Sequence, residues 1–251
     1  RYTEHRDGRS IDFDDLTSQI SALITGSSGG SVTAKSSPIL PEYTTDMVKA
    51  DTQLISEFST SFAGGTYGRA NRVFNICKAA EMIDGAAVAP GEEFDMNAAI
   101  GDRNKDNGWK TAAAIKEGAY VQEYGGGICQ VSSTLYLASV YAELTVLERV
   151  NHGFPVSYIP LGMDATVNWG FTDLKLRNDS PMPVKILAEE TDDLVKVSIL
   201  GTETRNYDVK MTFSVGGRHV KTYMSKYDKT TGELISKDSV ALSSCLEDIY
   251  K

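Results

Sequence analysis

From Val146 to Leu200 the apolar residues of this 251-residue chain come in runs too short to be helices. The runs cover residues 146–150, 156–159, 165–167, 174–177, 183–188 and 195–200, and Gly, Pro, Asn or Asp separates them. β-Branched and aromatic side chains pack well on a pleated surface and those breakers close strands, so this half is expected to be mostly antiparallel sheet. Beyond Gly201, residues 207–215 and 219–226 alternate apolar and polar side chains around Gly216-Gly217, which predicts a terminal hairpin.

The first half reads differently. Residues 11–24 carry Leu16, Ile20, Leu23 and Ile24 at helical spacing behind an acidic start, residues 25–37 are a Gly/Ser/Thr-rich loop or weak hairpin, and residues 47–51 form a short helix. Residues 54–60 alternate as a strand and Gly64-Gly65-Thr66-Tyr67-Gly68 as a loop. Val73, Ile76, Cys77, Ala80 and Ile83 mark one face of a helix that Gly85 can cap, with Cys77 as a small core residue. Residues 86–94 read as a strand interrupted by Pro90-Gly91, residues 101–108 as loop and residues 112–121 as extended chain. After Gly125-Gly126-Gly127 the spacing of Val131, Leu135, Ala138 and Ala142 describes a helix with one buried face, starting within a residue or two of Cys129.

The expected class is therefore α+β: central helices, one beginning at Cys129, packed on a mostly antiparallel sheet. A small α+β module is expected over residues 1–52, a main domain over 53–203 and a β-rich extension over 204–251.

Composition narrows the function. Lys and Arg number 25 against 34 Asp and Glu, a net charge of −9 spread along the chain, so no basic footprint for nucleic acid is readable. No apolar window is long enough to span a membrane, and the charged start, Arg1 to Asp7, lacks an initiating Met, as expected of a chain whose targeting segment has been removed. Cys77, Cys129 and Cys245 are too few for a disulfide framework; at most one bridge leaves one thiol over. With three scattered histidines and no Cys-x-x-Cys pair, neither a metal site nor a cofactor is expected.

The chemistry points to the glycine turn. A cysteine at a helix N-terminus lies near the positive end of the helix dipole, where unpaired N–H groups favour the thiolate. Three glycines let the backbone turn sharply and keep the approach to sulfur open. An acyl-transferring cysteine also needs an imidazole and a group to orient it. His152 follows Cys129 by 23 residues, with Asp164 and Asp173 beyond it as candidates for that orienting group. Cysteine, histidine and aspartate in this order match transglutaminase-like hydrolases. Gln130, or Gln122 upstream, could join the Cys129 N–H in an oxyanion hole. Gly125, Gly126, Gly127, Ser132, Ser133, Tyr158 and Arg103 are candidates for binding a ligand around the thiol. His5 and His219 read as surface histidines.

Longer stretches carry a resemblance. Glu57 to Phe62, Gly68-Arg69-Ala70-Asn71-Arg72-Val73-Phe74-Asn75-Ile76, Ala89 to Phe94, Gly101-Asp102-Arg103, Gly125 to Tyr136, Asn151-His152-Gly153-Phe154-Pro155-Val156-Ser157-Tyr158 and Gly162 to Val167 resemble the VanW family over roughly residues 54–200. That domain takes its name from an accessory protein of glycopeptide-resistance clusters in Gram-positive bacteria. Residues 1–52 resemble, more weakly, the peptidoglycan-binding-like module that commonly precedes it.

The resemblance implies a secreted or membrane-tethered cell-envelope protein, its anchor removed, with peptidoglycan or a cell-wall peptide as partner. Two functions are open. One is a cysteine amidase or transpeptidase acting on stem peptides. The other is a non-catalytic wall-binding or scaffolding module linked to glycopeptide resistance, with a groove lined by Tyr120, Tyr124, Phe154, Tyr158 and Trp169. A third reading has the glycine block merely solve a packing problem between helix and sheet.

Overall fold

A computed structural model describes residues 4–26, 29–63, 69–116, 119–191 and 193–246, with the backbone alone at residues 50, 116, 119 and 120. The loop expected at Gly64 to Gly68 and the side chain of Tyr120 lie outside what is described. The chain divides into two compact units, residues 1–52 and 53–251.

In the first unit, β1 (Gly8–Ile11) pairs antiparallel with β2 (Ser36–Ile39), and α1 (Phe13–Thr25) lies between them in sequence. Asp12 starts α1 by accepting the Asp15 N–H at 2.9 Å, and Thr44 starts α2 (Thr45–Asp51) by accepting that of Met47 at 3.3 Å. Strand β2 runs through Pro38 in a Ser/Pro stretch that carries no strand signal.

The second unit holds β3 (Thr52–Ser61), α3 (Arg69–Ile83), β4 (Ala87–Val88), β5 (Glu93–Asp95), α4 (Met96–Ile100), β6 (Thr111–Lys116), β7 (Ala119–Tyr124) and α5 (Ile128–Tyr141). It continues with β8 (Thr145–Glu148), β9 (Lys175–Arg177), β10 (Val184–Thr191), β11 (Leu194–Thr202), β12 (Tyr207–Gly216), β13 (His219–Asp228) and β14 (Leu234–Ser244). Helices α3 and α5 pack on a four-stranded sheet of order β3-β11-β10-β4, whose hairpin β10–β11 presents Ile186, Val197 and Ile199 to the core. Smaller antiparallel sheets, β5-β9-β8, β6-β7 and β12-β13-β14, complete an α+β fold.

Three local expectations change. Residues 112–121 are not one extended run: β6 and β7 pair back on each other, Thr111 opposite Tyr124. Beyond the terminal hairpin, β14 adds a third strand. Residues 156–159 and 165–167 are not strands, although their composition suggests it. Around 165–167 side chains and a loop take the place of a neighbouring ladder, the Thr166 N–H donating to the Val150 carbonyl at 2.7 Å. The Ala165 N–H donates to Ser133 Oγ at 2.9 Å, its carbonyl accepts Ser132 Oγ at 2.7 Å, and the Asp164 carbonyl accepts Arg149 Nε at 2.6 Å.

Helix α5 also differs from a helix with one buried face. Every residue from Gln130 to Val140 is buried, polar ones included. Two of its hydroxyls are absorbed locally: Thr134 Oγ1 donates to the Gln130 carbonyl at 2.7 Å, and Ser133 Oγ to that of Cys129 at 2.6 Å. Cys77, Cys129 and Cys245 are all free thiols. Among the described residues no helix is long and apolar enough to cross a membrane.

Candidate active site

The glycine turn sets the start of α5. Gly125 and Gly127 have φ of +79° and +108°, the left-handed region where a side chain is strained. Gly126 passes so close to β6 that a Cβ would lie 2.4 Å from the Ala112 carbonyl oxygen. Asn75 on α3 ties the turn down, its Nδ2 donating to the carbonyls of Gly126 at 3.0 Å and Lys110 at 2.9 Å. Close packing and a re-aimed backbone are thus both reasons for the triplet. No side chain caps α5; the N–H groups of Ile128 and Gln130 turn back to the carbonyls of Gly125 at 3.1 Å and Gly127 at 3.0 Å.

Cys129 is half-buried, between the buried Ile128 and Gln130. Its sulfur lies within electrostatic range of the His152 imidazole and stands 3.7 Å from the Val167 carbonyl oxygen. His152 is buried, and Asp164 accepts both its backbone N–H and its Nδ1 at 2.6 Å. That leaves Nε2 for the sulfur. Arg149 grips the other side of Asp164, donating from Nη2 to Oδ1 at 3.4 Å, to the Gly162 carbonyl at 2.9 Å and from Nη1 to Ser243 Oγ at 2.7 Å.

These contacts set the charges. Burial disfavours a Cys129 thiolate, yet the hydrogen bond and charge of His152 and the charge of Arg103 outweigh it and lower the thiol pKa. Burial likewise opposes a charged His152, but Asp164 and Cys129 raise its pKa well above the ordinary 6.5. Asp164 is held below its ordinary value despite burial, through His152 and then Arg149. Both shifts favour a thiolate beside an imidazolium.

The other expected residues fall in different places. Asp173 does not orient His152. Its Oδ1 accepts the N–H groups of Asn97 at 3.0 Å and Leu174 at 2.8 Å, and burial and the neighbouring Asp95 push its pKa up to about 6. Gln130 does not face the sulfur: its Nε2 donates to Thr60 Oγ1 at 3.0 Å and the Ser61 carbonyl at 2.9 Å, and its Oε1 accepts Arg72 Nη2 at 2.7 Å. Gln122 lies exposed on β7. Ser132 and Ser133 are buried, their hydroxyls binding the carbonyls of Cys129 and Ala165, so they fasten segment 164–165 to α5 and do not face a ligand.

Arg103 and Tyr158 do stand at the site. Arg103 lies against Gly125 and within charge range of Cys129. Tyr158 has a buried hydroxyl with no partner of ordinary geometry, in the field of Cys129 and Arg72, and its pKa is raised, by burial first. Arg72, Arg149 and the Val167 carbonyl were not anticipated. Only Arg72 had a sequence signal, in the glycine-arginine stretch on α3. Trp169 and Phe171 are exposed at the tip of a tight turn closed by Asn168 and Thr172, just beyond Val167. Among the described residues no group of three or more His, Cys, Asp or Glu is placed to hold a metal ion.

An α+β domain that sets a cysteine at a helix start beside a histidine and a buried aspartate defines a Cys/His/Asp site. A family model described as VanW like protein matches residues 71–200, and the chain belongs to that family. It is 36% identical over 163 residues, 63% of this chain and 54% of the relative, to "Uncharacterized protein YoaR" of Bacillus subtilis (strain 168). It is 32% identical over 130 residues, 50% of this chain and 47% of the relative, to "Vancomycin B-type resistance protein VanW" of Enterococcus faecalis (strain ATCC 700802 / V583). The chain spans about half the length of these curated relatives. No solved structure matches it.

Proposed function

We propose that this chain is a cysteine acyl-transfer enzyme of the cell envelope, an amidase or transpeptidase acting on peptidoglycan stem peptides. The observation that carries the proposal is His152, held by two hydrogen bonds to Asp164, within electrostatic range of Cys129 at the start of α5. The thiolate attacks an amide carbonyl, and the Cys129 N–H at the positive end of α5 supplies a donor to the developing oxyanion. His152 gives its proton to the departing amine, leaving a thioester on Cys129. Water or a second amine then attacks, losing its proton to His152, and the acyl group leaves the sulfur as an acid or a new amide. Membership of the VanW-like family and the name of the enterococcal relative support the envelope setting and a link to glycopeptide resistance. On the same reading the first unit is a wall-binding module.

The test is intact-mass analysis of the protein incubated with synthetic stem tetrapeptides and pentapeptides. A thioester adduct that appears on the wild type and is absent from Cys129→Ala supports the reading. No adduct and no product with either peptide, at full labelling of Cys129 by iodoacetamide, overturns it in favour of a binding module, for which the exposed Trp169 and Phe171 would supply the contact surface.

A further inference from the structure

Six arginines of the second unit are half-buried: Arg69, Arg72, Arg103, Arg149, Arg177 and Arg205. Four have a carboxylate within ion-pair distance: Arg69 with Asp193, Arg149 with Asp164, Arg177 with Asp179, and Arg205 with Glu203. Arg72 and Arg103 have none among the described residues. Their hydrogen bonds go to neutral acceptors, Arg72 to Gln130 Oε1 at 2.7 Å, Arg103 to Asn97 Oδ1 at 2.5 Å and the Gly101 carbonyl at 3.0 Å. Asp102 and Asp173 reach Arg103 only by longer-range attraction. In a chain with 34 acidic residues against 25 basic ones, carboxylates are not scarce.

The two exceptions flank one feature. The Arg103 stem lies over Gly125, where a Cβ would meet its Cγ at 2.8 Å, and the Arg72 stem lies over Gly127, where a Cβ would meet its Cγ at 2.9 Å. Both guanidinium groups act on the charge of Cys129. A half-buried guanidinium without a carboxylate partner is costly to keep, and it is the group best shaped to take a carboxylate through two parallel hydrogen bonds. Neutral acceptors fix each fork in place without neutralising it.

We propose that Arg72 and Arg103 form a carboxylate subsite beside Cys129, so that the substrate carries a free carboxylate close to the bond that is cut. The proposal rests on the acyl-transfer reading for its word "substrate", but its test does not. Iodoacetate and iodoacetamide alkylate the same sulfur and differ in whether they carry a carboxylate. Rates with each are measured by peptide mapping on the folded wild type, with Cys77 and Cys245 as internal references. The iodoacetate-to-iodoacetamide rate ratio at Cys129 is expected to exceed that at the reference thiols by about tenfold or more, the scale of one charge-assisted contact. In Arg72→Gln and Arg103→Gln the ratio falls toward the reference value, while iodoacetamide still reacts at Cys129. Any change in the thiol pKa affects both reagents alike and cancels. A ratio at Cys129 no higher than at Cys77 or Cys245, or one unmoved by both substitutions, overturns the subsite. Failure to form a thioester with stem peptides, at a high ratio, would instead count against the enzyme reading alone.

Discussion

Asp164 accepts two hydrogen bonds from His152, one from the backbone N–H and one from Nδ1, both at 2.6 Å. One carboxylate thereby fixes the position of the histidine backbone and the tautomer of its ring, and Arg149 in turn fixes the carboxylate.

Asp164→Asn keeps the shape and removes the charge that supports the imidazolium. Turnover on any stem peptide that acylates the wild type is expected to drop by about a thousandfold, within the range seen when an orienting acid loses its charge. The pH midpoint for iodoacetamide labelling of Cys129 should move up toward the ordinary thiol value of 9.0. A variant that labels with an unchanged midpoint would show that Asp164 does not act through His152.

The direction of the two shifts fixes the pH behaviour. Cys129 loses its proton below the ordinary thiol value and His152 keeps its own above 6.5, so the ion pair exists between the two and is lost on either side. The raised His152 pKa adds stability that is fully present below 6.5 and fades as the pH climbs through the folded value. Cys129, with a depressed pKa, adds stability above its ordinary value and loses it as the pH falls through the folded one. Alkylation followed from about pH 5 to about pH 10 should place the Cys129 midpoint below those of Cys77 and Cys245, whose thiols burial pushes up. A Cys129 midpoint at or above theirs would rule out the ion pair.

Asp173 makes the opposite kind of statement. Its folded pKa, about 6, lies above the ordinary 3.8, so its contribution to stability is complete below 3.8 and disappears as the pH rises through 6. Asp173→Asn mimics the protonated form and keeps the Oδ1 acceptor for Asn97 and Leu174. Thermal melts should show a gain of about 1 kcal/mol, or roughly 2–4 °C, at pH 8, with no gain near pH 4. Equal gains at both pH values would mean that the buried charge of Asp173 is not the cause.

Gly126→Ala places a methyl group against the Ala112 backbone, which cannot swing aside as a side chain would. A loss of about 3 kcal/mol is expected by denaturant titration, at the upper end for overpacking. Gly216→Ala, with open space around it, serves as the control and should stay within about 0.5 kcal/mol. Similar losses at both positions would remove the close approach as the explanation.

Much of this site could be read from the order of residues, because a glycine turn before an apolar period locates a helix start, and few histidines compete to face it. His152 and Asp164 lie 12 positions apart in a segment held together by its own side chains. Arg72 and Arg149 could not be read in the same way. Arginine is common on surfaces, and what sets these two apart is three-dimensional: one crosses Gly127 from another helix and the other bridges Asp164 to Ser243. Residues 156–159 and 165–167 looked like strands because apolar residues that pack on an active-site loop obey the same preferences as those on a sheet. Gln130 sits next to Cys129 in sequence but a helix turns adjacent residues to different sides, and it faces β3.

Helix α5, enclosed from Gln130 to Val140, has little freedom to accept new side chains. Side chains that can be exchanged without moving Cys129 therefore lie elsewhere, on the exposed turn that carries Trp169 and Phe171. Substitutions on that turn should leave the position of Cys129 unchanged, whereas substitutions inside α5 should shift it.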